Sequence, residues 1–257
     1  MVAMPILTPA VWQMIGGLLG LIAGSFIATL VLRWTTARRI TGRSSCDNCG
    51  RRLASGELVP LLSWLVLRGR CRQCRAAIPL FHPLVESAAM VIGCGATALQ
   101  PDINGIALAL FGWQLLTLAL LDARAFWLPH RLTGLLALTG LIIAEPALGV
   151  PLTDRLVGGV AGFGLLTAVR LGYHKLRGRE GMGGGDPRLF GAIGLWIGWP
   201  FLPLVLMLAA FAGVAIGLLP LAHPDATIDW RRRRLPFGTL LALATMVCGA
   251  MLAAPLP

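Results

Sequence analysis

Gly181-Met182-Gly183-Gly184-Gly185-Asp186 sets one carboxylate behind three consecutive glycines, and an apolar run starts at Leu189. A carboxylate at the mouth of a membrane segment is costly and usually has a job. A second one, Asp122, closes the apolar run Leu115 to Leu121. A negative charge at the C-terminal end of a helix opposes the helix dipole, so capping does not explain it. Two carboxylates at one depth on different helices can share a proton, because adjacent anions repel. The ionised member then takes a proton from water while the protonated member donates to a substrate carbonyl. That is general acid/base hydrolysis of a peptide bond without a covalent intermediate. Such a pair titrates as a unit, so neither aspartate is fixed as the base. Structural readings stand beside this one. Asp186-Pro187 has the form of an N-cap and a proline at the first helical position. Asp122 has Arg124 close by as an ionic partner. Gly183 and Gly185 are either a flexible break or places where backbone approaches a substrate strand that a Cβ would block.

Four thiols form the other constellation. Cys46-x2-Cys49 and Cys71-x2-Cys74 lie 21 residues apart in a polar, basic stretch. Two such knuckles suit tetrahedral Zn²⁺ held by four thiolates, closed and structural. A small module with few apolar residues needs a staple of this kind. Cys94 and Cys248 sit inside apolar runs and read as packing residues. Glu86 stands near the start of an apolar segment and needs a partner. His82, His130, His174 and His223 show no ligand spacing.

Helices in a membrane must position these groups. The chain has 257 residues, 56% hydrophobic and 13% charged, too apolar for an ordinary soluble domain. Expected spans run over 8–33, 83–100, 104–121, 132–149, 156–173, 189–199, 201–221 and 235–255, giving an all-α polytopic membrane protein with eight transmembrane helices. Glu145, Pro146 and Pro151 to Arg155 are expected to break the chain after the fourth span, and no internal repeat is visible. Gly16, Gly17, Gly20 and Gly24 should let the first helix approach a neighbour closely. The expected division is a first helix (1–33), a cytoplasmic zinc-binding module (34–80) and a seven-helix domain carrying both aspartates (81–257). No Lys or Arg precedes the first apolar run, so no secretory signal is expected. The net charge of +11 is distributed as a topology signal: 21 of the 22 Lys and Arg fall in alternate loops, and only Arg155 lies on the other side. Arg231 to Arg234 read as the anchor of the last span. This pattern puts both termini outside and both aspartates on the cytoplasmic face. It also removes the nucleic-acid reading, since the basic loops suit anionic lipid headgroups.

The ordered motifs resemble those of the bacterial prepilin peptidases, or type IV leader peptidases. They are Gly24-Ser25-Phe26, the two Cys pairs bracketing Pro60 to Leu65 and Arg68-Gly69-Arg70-Cys71, Pro83-Leu84-Val85-Glu86, Leu121-Asp122 with Leu128-Pro129, Gly181 to Asp186, and Pro236-Phe237-Gly238. Ala28, Arg124, His130, Pro187 and Arg188 depart from the usual pattern. The resemblance implies an aspartic intramembrane protease of the bacterial inner membrane, its active site facing the cytoplasm, that cleaves the basic leader of prepilins or pseudopilins after Gly. It implies N-methylation of the new terminus with S-adenosylmethionine. By motif match Asp122 and Asp186 are catalytic, and Cys46, Cys49, Cys71 and Cys74 hold zinc. Asp47, Glu57 and Glu86 are candidates for receiving the leader's positive charge. Two rivals belong to other classes. One is a proton-coupled transporter using the aspartates as a relay, and the other is a scaffold for pilus or secretion assembly.

Overall fold

The computed structural model describes residues 7–36, 42–178, 181–218 and 235–254. The charges expected at Arg38, Arg39, Arg179 and Arg231 to Arg234, and His223, lie outside these residues. Among the described residues the α-helices are α1 (Pro9–Thr35), α2 (Leu62–Val66), α3 (Phe81–Leu99), α4 (Ile103–Ala125), α5 (His130–Leu148), α6 (Leu152–Arg177), α7 (Asp186–Ile197), α8 (Leu202–Leu218) and α9 (Phe237–Ala253). The protein is an all-helical polytopic membrane protein. Among the described residues five helices are long and apolar enough to cross a bilayer: α1, α4, α5, α6, and α8 with the turn before it. They also expose large apolar side chains, such as Ile22, Val160 and Phe211, which only a lipid surround would cover. The chain forms two compact units, one ending at Trp113 and one beginning at Gln114.

In the first unit, α1 lies against α3 along the expected glycine stripe. A Cβ on Gly24 would stand 2.6 Å from Glu86 Cα, and one on Gly20 would stand 2.7 Å from Met90 Cα. No side chain fits there, so the stripe fixes the height of α3, and with it Glu86, against α1.

In the second unit the centre is α7. Its side chains Leu189, Phe190, Ile193, Trp196 and Ile197 are almost wholly covered, and Trp196 Nε1 donates to the Leu136 carbonyl at 2.8 Å. The helix has 12 residues. At about 1.5 Å per residue it is roughly 18 Å long, well short of a hydrocarbon core of about 30 Å. It starts at Asp186, earlier than the expected 189, and Gly198 at φ 73 turns the chain after it.

Two expectations need correction. Glu145 and Pro146 do not break the chain: α5 runs through Pro146 to Leu148 and ends at Gly149, whose N–H donates to the Glu145 carbonyl at 2.8 Å. A proline this close to the end removes only one helical hydrogen bond. Arg155, the exception in the charge count, is not a loop charge. It is 2% exposed in the first turns of α6. Its guanidinium donates to the Gly140 and Leu141 carbonyls at 2.9 and 3.0 Å and pairs with Glu145 at 2.7 Å. It therefore ties α6 to α5. Arg155→Ala should destabilise the detergent-solubilised protein by about 2–4 kcal/mol, from a cavity plus lost charged hydrogen bonds. Glu145→Gln, at an exposed carboxylate, should cost less than about 1 kcal/mol. Chemical unfolding of the two variants checks the ordering.

Candidate active site and thiol cluster

Asp122 stands in the last turn of α4 and Asp186 is the first residue of α7. Each is 6% exposed, and Asp122 lies within coulombic reach of Asp186. The expected pair therefore forms within the second unit. A third helix completes it. At the start of α9, Thr239 donates its N–H to Asp122 Oδ2 at 2.8 Å, and its hydroxyl lies 3.2 Å from the same oxygen. That hydroxyl also reaches the Ala119 carbonyl at 2.9 Å. Asp186 takes a hydrogen bond from the Gly183 backbone.

Asp186 does not cap α7. Gly185 holds the cap position and no side-chain cap bond is present. The residue sits one step inside the helix, with Pro187 following where an N–H is not needed. Its carboxylate is thus released from capping its own helix.

Leu128 packs against the backbone at both Gly185 and Gly238. A Cβ on Gly185 would lie 2.7 Å from Leu128 Cβ, and one on Gly238 would lie 2.8 Å from Leu128 Cδ1 and 3.0 Å from Asp122 Oδ2. A Cβ on Gly183 would meet only Asp186 Oδ2, at 3.4 Å. Gly185 is small because Leu128 fills the space beside it. Gly183 is the one of the two whose surroundings leave room for an incoming backbone. Thr239 and Leu128 were not named from the sequence as site residues, although Pro236-Phe237-Gly238 and Leu128-Pro129 flagged their neighbourhoods. Gly238→Ala pushes a methyl group into both Leu128 and the Asp122 carboxylate. It should slow any hydrolysis the two carboxylates carry out by roughly tenfold to a hundredfold, as misplacement of a reacting group does. A rate assay beside a thermal melt separates this from unfolding.

In the first unit the sulfurs of Cys46, Cys49, Cys71 and Cys74 all lie within 4.8 Å of one another, and Cys46 and Cys74 are 3.8 Å apart. A tetrahedral Zn²⁺ with bonds of about 2.3 Å has sulfur–sulfur edges of about 3.8 Å, so the donor set fits. The two knuckles are built alike, a repeat that the residue types conceal. Gly50 and Arg75 both take positive φ, 70° and 57°. Their N–H groups donate to the Cys46 and Cys71 carbonyls at 2.9 and 3.0 Å. Cys46 N–H and Cys71 N–H donate to the Arg51 and Ala76 carbonyls, both at 2.9 Å. The backbone N–H groups of Cys74 and Gln73 hold the Cys71 thiol down to about 6, against the opposing effect of burial.

The three candidate acids line a single cavity of about 450 Å³ in this unit. Glu57 pairs with Arg51 at 2.5 Å and accepts the Ala54 N–H at 2.8 Å. Arg51 keeps its carboxyl below the usual carboxylate range. Glu86 is buried and accepts the Leu61 N–H at 2.8 Å, which holds Leu61 at its unusual φ of 56°. Both are thus engaged inside the module.

Comparison with known proteins adds to this geometry. Residues 18–99 match the family described as bacterial peptidase A24 N-terminal domain, and residues 109–218 match the type IV leader peptidase family. A protein of Burkholderia pseudomallei named prepilin leader peptidase/N-methyltransferase is 41% identical over 207 residues. That match covers 78% of this chain and 64% of the relative, so the chain spans just under two thirds of that protein. Proteins of the same name from Aeromonas salmonicida and Pseudomonas putida are 38% and 32% identical, covering 79% and 92% of this chain and 69% and 89% of theirs. No solved structure matches the chain.

Proposed function

This chain belongs to the type IV leader peptidase family, and on that premise we propose that it is an aspartic endopeptidase whose reacting groups are Asp122 and Asp186. The observation that carries the reading is the meeting of two buried carboxylates from α4 and α7 beside the Thr239 clamp. The pair holds one proton between its members. The ionised oxygen takes a proton from the attacking water, and the protonated one donates to the scissile carbonyl. The backbone at Gly183 lies beside the scissile segment of the substrate. By analogy with the relatives' names, the substrates are prepilins that lose a leader and gain an N-methyl group; the motif resemblance adds pseudopilins as substrates, a cut after the Gly that ends a basic leader, and S-adenosylmethionine as the methyl donor. The four cysteines hold a structural Zn²⁺. The eight expected crossings of the bacterial inner membrane count the short α7 as one of them, and the loop charges support aspartates that face the cytoplasm. Mass spectrometry of a co-expressed prepilin tests the reading, since it reports the cut site and the methyl group together. A full-length precursor would overturn the peptidase half. A trimmed but unmethylated product would overturn the transferase half.

A further inference from the structure

The loop before α7 has little of its own to fix it. From Gly181 to Gly185 only Met182 carries a side chain, and a glycine backbone is free to take many courses. Yet this loop must hold the Gly183 backbone against the Asp186 carboxylate. What holds it comes from α6. A Cβ on Gly181 would stand 2.6 Å from the Tyr173 ring, and one on Gly184 would stand 3.2 Å from Arg170 Nη1. Arg170 and Tyr173 are three residues apart on α6 and so share a face. Gly183 lies between the two contacts and is itself exposed. The loop is thus laid along the end of α6, with an aromatic ring against one end and a guanidinium against the other.

The same helix grips α7. A Cβ on Gly158 would lie 2.6 Å from the Gly194 carbonyl oxygen, and one on Gly162 would lie 2.8 Å from the Phe190 carbonyl oxygen. The two backbones touch, which fixes α7 in height against α6. So α6 supplies neither aspartate but holds Asp186 from both sides, through α7 after it and through the glycine loop before it.

We propose that Arg170 and Tyr173 are positioning residues for peptide cleavage. The inference rests on the reading of Asp122 and Asp186 as the reacting pair. With the ring on Gly181 and the guanidinium on Gly184, the peptides between them have one course, and that course presents the Gly183 N–H to Asp186. Each side chain acts through the backbone it packs on, not on the scissile bond. A slack loop would let the carboxylate turn away, and a displacement of about 1 Å in a reacting group can cost about a hundredfold in rate.

The test is prepilin cleavage by the full chain in detergent, with kcat and KM read separately and a thermal melt for each variant. Tyr173→Ala and Arg170→Ala should each lower kcat about tenfold or more and leave KM within about twofold, since the interaction lost is one made in the transition state. Tyr173→Phe keeps the ring on Gly181 and should keep kcat within about twofold of the wild type. Gly181→Ala drives a methyl group into the ring from the other side and should also lower kcat. Combined with Tyr173→Ala it should cost nothing more, because the clash is gone. Unchanged kcat in both folded alanine variants overturns the proposal. So does a loss carried by KM alone, or a loss as large in Tyr173→Phe as in Tyr173→Ala. If Tyr173→Ala does not fold, Gly181→Ala decides, and an unchanged kcat there overturns the proposal. A wild type that leaves prepilin uncut would remove the peptidase reading itself. A wild type that cuts, beside alanine variants that cut as fast, removes only the positioning role.

Discussion

Asp122→Asn and Asp186→Asn each stop peptide-bond cleavage, with a loss of roughly 10²–10⁴-fold, the scale of a positioned general acid or base. Asn matches Asp in size, so the change leaves no cavity beside Leu128. At position 122 the amide oxygen still accepts the Thr239 N–H, now at 2.8 Å from Asp122 Oδ2. What is removed is the negative charge and, with it, the capacity to hold and release a proton. The double variant should lose no more than either single one, because two groups that share one proton act as a unit and their effects do not add. Cleavage of a prepilin in detergent measures all three, with melting temperature as the control. A single variant that keeps more than about a tenth of the activity would falsify the pair as the reacting groups. Multiplying losses in the double variant would make them two independent contributors.

Stripping the metal from the four-cysteine cluster should unfold the thiol module while α7 and its surroundings stay folded. The module offers little apolar core of its own, and structural zinc contributes about 10–16 kcal/mol of apparent binding energy in finger-like domains. Elemental analysis should find one zinc per chain. A strong chelator, or Cys71→Ser, should open residues between 44 and 79 to protease while the far unit resists cleavage. Protection that survives complete metal loss would remove zinc from the account of this module. Acid should act in two stages. The Cys71 thiol is lowered to about 6, below its unfolded value. A bound metal competes with protons for that thiolate, so acid should release the metal as the thiolates are protonated. The Glu57 carboxyl is also lowered, by Arg51. Its contribution is complete above the ordinary Glu value of about 4.3 and fades only below it. Metal release should therefore precede loss of the Arg51–Glu57 pair.

Much of the site was legible because its signals are local. Gly183 to Asp186 and the two Cys pairs each fit within a few residues, where chain chemistry fixes geometry directly. The glycine stripe of α1 was legible for the same reason, since spacing on one helix shows which face is bare. What escaped depends on distance or on pairing. Thr239 meets Asp122 across 117 residues, and nothing in its own neighbourhood says what its N–H will face. The match to the leader peptidase family ends at residue 218, before α9 begins. Charge counting set Arg155 apart from the other basic residues but could not see Glu145 and the two carbonyls that it meets. The knuckle repeat was hidden because Gly50 and Arg75 share a backbone conformation and no side-chain likeness.

The Thr239 clamp bears on how the protein is made. Translation delivers α4 and α7, and with them both aspartates, well before α9. Until α9 is inserted, Asp122 Oδ2 lacks the Thr239 N–H and Leu128 lacks Gly238 to close on. If Asp122 and Asp186 are the reacting pair proposed above, a nascent chain paused in the membrane carries both of them in an unassembled state, and hydrolysis waits for a helix that contributes neither. Order of synthesis becomes a safeguard against a half-built protease.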